Sequence, residues 1–379
     1  MVKRIKGKKI LFPQGFKEGN VYFKDGKITA VNADIPFDAE YDAGDNYVLP
    51  GLIDIHTHGA LGFDFADADA DGILTAVKYH LSHGATAIMP TITSSTFEKT
   101  FAALSNLETA MKDRKYGGCI LGAHLEGPYF SEKQSGAQDK SLITPPIKAD
   151  YERITDRFGG IIKRWDFAPE RDKDGEFCEY LTAHGILAAA GHTDAKYGDM
   201  IVAREKGCRL ITHLYSCTST ITRDHGFRIL GVTECAYLWD DMYAEIIADG
   251  KHLPPELLKL IFKLKDNDRL ILVSDSLKVT GSKEKYSTVG TVKCVIEDGV
   301  CKLLDRSAFA GSIATADRLV KVCVDAGLPI DKAVKMGSEN PARLFGLNMG
   351  EIRTGAAADM VITDENVNVK KIYKAGEEI

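Results

Sequence analysis

From Gly51 to Leu347 the chain alternates short apolar runs with stretches of helical periodicity, and several of the runs end on a titratable residue. The runs include "ATAIMPT", "GCILGAHLEG", "GILAAAGHT", "CRLITHLYS" and "RLILVSDS". Four to eight apolar residues bounded by turn formers read as a strand buried on both faces. Between them, in "IATADRLVKVCVDAGL", Ala316, Leu319, Val320, Cys323 and Val324 recur at helical spacing, and Gly327 stops the pattern. Alternation sustained over this length implies a parallel α/β sheet, and a (β/α)8 barrel absorbs about 250 residues as one unit. At 379 residues and 44% hydrophobic content, the chain can bury such a core. In a barrel of this kind the C-terminal ends of the strands form one face, so residues distant in sequence meet there.

The two ends of the chain read differently. In "NVYFKDGKITAV", two apolar runs flank Asp25-Gly26, a hairpin signal because glycine tolerates positive φ. "ADMVITDENVNVKKIYKAGEEI" alternates Val, Ile and Tyr with polar residues. Both ends are therefore expected to be β-rich. The formal net charge of -6 gives no global attraction to nucleic acid or to an anionic membrane, so neither is an expected partner. The eight cysteines are scattered without a C-x-x-C pair, which fits a reduced cytoplasmic setting. "MVKRIKGKKI" is basic, but no apolar signal segment follows it, and no apolar run approaches the ~18 residues of a membrane span.

Five strand ends carry the chemistry. In "GLIDIHTHG", His56 and His58 stand two apart, so an extended backbone points both rings to one side. Glu126 ends "CILGAHLE", where a buried carboxylate requires a partner. His192 follows "GILAAAG", His213 follows "CRLIT", and Asp275 follows "RLILVS". Alone, the His56–His58 pair reads as readily as two loop histidines, and His192 or His213 more often as a core residue. Together the set is made of nitrogen and oxygen donors with no thiolate, which suits zinc, iron or manganese in an open catalytic site. His124 shares the Glu126 strand and reads as a supporting residue. His80, His83, His184 and His225 read as helix, helix-end and loop residues.

The motifs "PGLIDIHTHG", "HLEGPYFS", "AAGHTDA", "ITHLY", "IIADGKHL", "LVSDS", "AGS" and "NPARLFGL" occur in that order over nearly the whole chain. In this the sequence resembles the amidohydrolase superfamily, and within it the branch that deacetylates amino-sugar 6-phosphates. The resemblance implies a TIM-like (β/α)8 barrel over residues 51–347 and a small β-sandwich built from residues 1–50 and 348–379. It implies Glu126, His192 and His213 as principal metal ligands, and His56 with His58 as a pair that can hold a second ion, so one or two divalent ions, zinc before iron or manganese. It implies hydrolysis of the acetamide of N-acetylglucosamine 6-phosphate, with hydroxide on the metal as nucleophile and Asp275 as general base and then acid. His252 matches a phosphate contact, and a homodimer is the family expectation.

Some positions depart from the family pattern. Ser216-Cys217-Thr218 replaces the usual Asn-Ala-Met beside the substrate. Gln138 stands where many relatives carry a histidine that polarises the amide carbonyl. In "TRDHGFR", either Arg223 or Arg228 is a candidate for the phosphate-binding arginine, within one chain or across a dimer interface. The alternatives are a related galactosamine- or mannosamine-type substrate, another C–N hydrolase of the superfamily, or a barrel that binds metal without catalysis.

Overall fold

The computed structural model describes residues 1–379. Eight parallel strands follow one another around a single sheet: β1 (Leu52–Thr57), β2 (Ala85–Thr93), β3 (Ala123–Glu126), β4 (Ile162–Phe167), β5 (Leu187–Ala190), β6 (Leu210–Ile211), β7 (Tyr243–Ile246) and β8 (Leu270–Leu272). The sheet closes on itself just past β8. Asp275 N donates to His56 O at 2.9 Å, and Thr57 bridges Ser276 in parallel register. Helices alternate with the strands, among them Ala70–Ser82, Phe97–Ala110, Glu176–Ala183 and Tyr197–Glu205. Asp69 begins the first of these by accepting from Gly72 N, so its side chain satisfies an otherwise unpaired amide of the first turn. A core cluster of 65 buried residues fills the space between strands and helices. A second, of 11, includes Ile53, Ile55, Met89, Leu210, Ile271 and Val273. This is the expected (β/α)8 barrel, and the buried runs are continuous because both strand faces are covered.

The chain ends build a separate sheet. Lys3–Phe12, Gly15–Lys24, Lys27–Val31, Ala39–Asp42 and Tyr47–Pro50 pair with Met360–Thr363, Val369–Lys374 and Glu377–Glu378. They surround a core of 14 buried residues. Lys24 pairs with Lys27 across Asp25-Gly26, whose φ values of 49° and 78° are those of the hairpin turn read from the sequence.

Two features lie outside the sequence reading of 51–347 as plain barrel. Four antiparallel strands, Tyr286–Val289, Val292–Glu297, Val300–Leu303 and Phe309–Gly311, form an inserted sheet after β8. Its central hairpin turns at Asp298-Gly299, the same kind of dipeptide as Asp25-Gly26, so the signal was present in "IEDGV". A smaller hairpin, Thr222–Asp224 with Phe227–Ile229, stands off the barrel with Phe227 74% exposed.

Candidate metal centre and active site

The strand ends place Glu126 at the middle of a histidine cluster. Glu126 is the last residue of β3, and its Oε1 lies 3.3 Å from His56 Nε2, 3.2 Å from His192 Nε2 and 3.3 Å from His213 Nε2. His192 Nε2 and His213 Nε2 are 3.2 Å apart. His58 Nε2 lies 3.5 Å from Glu126 Oε2 and 3.1 Å from Asp275 Oδ1. Two groups of three ligating side chains result, His56–His58–Glu126 and Glu126–His192–His213, and all of these residues are buried.

The residues fit a metal. Zinc–nitrogen and zinc–oxygen bonds of roughly 2.0–2.1 Å in a tetrahedron put ligand atoms about 3.3 Å apart. The triangle of Glu126 Oε1, His192 Nε2 and His213 Nε2 has sides of that length. His56 Nε2 is buried, faces the same carboxylate oxygen and has no hydrogen-bond partner of sound geometry. A buried nitrogen lone pair without a donor is unfavourable unless something else coordinates it.

The backbone is shaped to aim these side chains. His192, His213 and Asp275 all have left-handed φ, at 45°, 27° and 47°. A non-glycine residue there costs of order 1–3 kcal/mol and persists only where its surroundings hold it. Each lies just past its strand, where an extended residue would continue the barrel wall; the left-handed turn redirects it.

The electrostatics agree. Burial opposes ionisation of Glu126, but the imidazoles of His56, His192 and His213 outweigh it and hold the carboxyl well below its usual range. Burial likewise opposes the charge on Asp275, and the bond to His58 together with the nearby imidazoles holds it below its usual value. Asp275 is thus a carboxylate able to receive a proton.

Other residues singled out in the sequence fall into three groups. Gln138, His252, Ser216 and Cys217 line the same cavity of about 230 Å³ as His58, Glu126, His192, His213 and Asp275. Gln138 Nε2 donates to Glu126 Oε2 at 2.8 Å, while its Oε1 accepts from Thr93 Oγ1 and Ser94 N. Its amide therefore fixes Glu126. His252 Nδ1 donates to Asp249 Oδ2 at 2.8 Å, and its ring packs against Phe309 of the inserted sheet. Arg223 and Arg228 do not join them: both are exposed on the small hairpin and line no part of this cavity. His124 is a supporting residue, 2.9 Å from Thr91 Oγ1 and 3.0 Å from Asp166 Oδ1.

Sequence reasoning missed the layer beneath the cluster. Arg164 on β4 is fully buried and binds Asp166 through Nε at 2.7 Å and Nη2 at 2.9 Å. It also binds Glu245 on β7, through Nη1 to Oε1 and through Nη2 to Oε2 at 3.0 Å. Burial alone would raise the Glu245 carboxyl, but Arg164 and His56 pull it down to about 2. The signal was charge within a strand: Arg164 and Asp166 flanking Trp165 in "KRWDF", and Glu245 inside the apolar run "YAEII", where burial demands a partner.

Comparison with known proteins agrees with this architecture. A model of the amidohydrolase family matches residues 47–379. N-acetylglucosamine-6-phosphate deacetylase of Bacillus subtilis (strain 168) is 32% identical over 363 residues, covering 93% of this chain and 90% of that protein. The enzyme of the same name from Vibrio furnissii is 31% identical over 332 residues, covering 87% and 82%. Among solved structures, N-acetylglucosamine-6-phosphate deacetylase from Thermotoga maritima superposes with a TM-score of 0.88 at 30% identity, covering 100% of this chain and 99% of that one. A mutant N-acetyl-D-glucosamine-6-phosphate deacetylase from Mycobacterium smegmatis, in complex with N-acetyl-D-glucosamine-6-phosphate, gives a TM-score of 0.92 at 28% identity, with coverage of 100% and 99%. The closed barrel, the histidine–carboxylate cluster at its C-terminal rim and a family match through the barrel and the C-terminal strands converge: the chain belongs to the amidohydrolase family.

Proposed function

We propose that this chain hydrolyses the acetamide of N-acetylglucosamine 6-phosphate, releasing glucosamine 6-phosphate and acetate. One or two divalent ions serve the reaction, zinc foremost, with iron or manganese as alternatives. The observation that carries the reading is Glu126 Oε1 surrounded by three imidazole nitrogens at 3.2–3.3 Å, with the Asp275 carboxylate in the same cavity. The deacetylases of Bacillus subtilis and Vibrio furnissii support the choice of substrate.

When bound, the ion would polarise the acyl oxygen and bring the pKa of a water down to about 7. His192, His213 and Glu126 would hold it, with His56 and His58 as the additional pair. Asp275 takes a proton from the attacking water at its carboxylate and hands it to the departing amine nitrogen. Asp275 Oδ1 lies 3.1 Å from His58 Nε2, so the carboxylate stands beside that pair. Positioned proton transfer contributes roughly 10²- to 10⁴-fold. Gln138, locked by Thr93 and Ser94, holds Glu126 and offers an amide beside the acyl oxygen. His252, its ring oriented by the Asp249 carboxylate, is the residue that meets the phosphate dianion. Binding energy from that remote group orients the acetamide.

Arg223 and Arg228 stand away from the cavity on an exposed hairpin, which supports a homodimer in which one of them reaches the partner's site. The eight unpaired cysteines support a cytoplasmic setting. No helix is long and apolar enough to cross a membrane.

Ser216 and Cys217 in the cavity wall, where the family pattern has other residues, are the ground for a second reading, in which the sugar is of the galactosamine or mannosamine type. Acetate release from the 6-phosphates of the three N-acetylhexosamines, with and without chelator, tests both. Chelator-sensitive release from the glucosamine derivative supports the first reading, and preference for another epimer replaces it with the second. Release that chelator leaves unchanged, or none from any of the three, refutes the proposal.

A further inference from the structure

Glu245 touches both halves of the ligand cluster from below. Its Oε2 lies 3.3 Å from His56 Nδ1, accepts from His213 N at 3.2 Å and accepts from Arg164 Nη2 at 3.0 Å. Its other oxygen is bound by Arg164 Nη1. A carboxylate so held can only accept, so His56 must donate from Nδ1, which leaves Nε2 as the lone-pair nitrogen facing Glu126. The four histidines of the cluster are not equivalent in this respect. His192 Nδ1 donates to the Gln134 carbonyl at 2.9 Å, whereas His58 Nδ1 and His213 Nδ1 are buried without partners. His56 is therefore the ligand whose tautomer is set by a carboxylate.

The same oxygen also anchors the backbone of His213, whose left-handed φ of 27° needs an external hold. His56 belongs to one group of three ligands and His213 to the other. Arg164 holds Glu245 through both carboxylate oxygens and binds Asp166 and Thr212 besides.

We infer that Glu245, braced by Arg164, is a positioning residue that ties both halves of the metal centre to one carboxylate. The inference rests on the reading of the cluster as a metal centre. It assigns Glu245 no contact with substrate; the residue acts through the His56 ring and the His213 backbone. A carboxylate behind a ligating imidazole fixes the tautomer and strengthens the ligand, and losing one weakens metal affinity by 10- to 100-fold.

The test uses the full chain and zinc alone. Stoichiometry and affinity are measured by chelator competition on wild type, Glu245→Gln and Asp166→Asn. The last disturbs the same buried network but touches neither His56 nor His213. Glu245→Gln should lose 10- to 100-fold in zinc affinity, while Asp166→Asn stays within about threefold of wild type. Equal affinity in wild type and Glu245→Gln, or an equal loss in Asp166→Asn, overturns the inference. Should Glu245→Gln not fold, wild type still decides: long-range proton–nitrogen correlation on the zinc-loaded protein should show His56 protonated at Nδ1, and protonation at Nε2 overturns the inference. Wild type that binds no zinc fails the reading of the cluster as a zinc centre, a result distinct from the other outcomes.

Discussion

Removing Arg164 should destabilise this protein more than removing any one surface charge. Arg164→Met deletes a guanidinium with no solvent exposure and strands two carboxylates, Asp166 and Glu245, that are equally buried. Breaking one buried pair by deleting a partner costs about 3–5 kcal/mol, and here one cation serves two acids, so the upper end applies, about 5 kcal/mol at pH 7. With an unfolding entropy of about 2.1 cal/mol/K per residue, the 379-residue chain has roughly 0.8 kcal/mol/K, so the midpoint should fall by about 6 °C. Urea denaturation followed by fluorescence and circular dichroism measures the loss directly. The triple variant Arg164→Met, Asp166→Asn, Glu245→Gln should recover most of it, because no isolated charge stays buried. The deficit of Arg164→Met should also narrow as pH falls from 7 to 4, where the stranded acids protonate more readily. A single variant within about 1 kcal/mol of wild type at pH 7 would refute the argument, because it would mean the acids are not held by this cation.

Four further outcomes are expected. Asp275→Asn should retain metal and lose turnover by about 10²-fold or more; near-normal rates remove Asp275 from the reaction. His213→Ala should lose metal, and full occupancy by elemental analysis contradicts its role as a ligand. Glu245 has its carboxyl held at about 2 against an ordinary 4.5. The unfolded chain binds the extra proton between those values, so this group's contribution, of order 3 kcal/mol, is complete above pH 4.5 and lost as pH falls toward 2. Glu245→Gln should flatten that part of the stability profile, and an unchanged acid limb speaks against it. Metal removal should lower the melting temperature in a concentration-dependent way, since free ion at 100 times its Kd stabilises by about 2.7 kcal/mol; a melting curve indifferent to chelator would count against any resident ion.

The barrel was legible because its strands are buried on both faces and its helices on one, which leaves two different periods in the sequence. The six polar strand-end residues were legible for a related reason: a histidine or acid directly after an apolar run is conspicuous. What sequence could not give was which of them touch. His56 and His213 lie 157 positions apart and meet only because the sheet closes. The Arg164–Asp166–Glu245 layer was visible as charges within strands, but pairing a residue of β4 with one of β7 requires knowing that both face the barrel lumen. The inserted sheet left its mark in the Asp298-Gly299 turn, but a hairpin dipeptide does not say that the strands around it leave the barrel. The two arginines of the small hairpin carried no signal of distance at all; their exposure belongs to the loop's three-dimensional path.

The barrel closes by a backbone bond from Asp275 to His56, which makes the acid proposed to handle the proton and an imidazole of the ligand cluster neighbours across the seam of first and last strands. During synthesis the segment carrying His56 emerges early and must wait for the segment carrying Asp275 before either has its native surroundings. A nascent or truncated chain lacking the final strand thus has neither a sealed barrel nor a completed reaction site. Activity arrives with closure, so turnover itself reports that the last piece of the ring has docked.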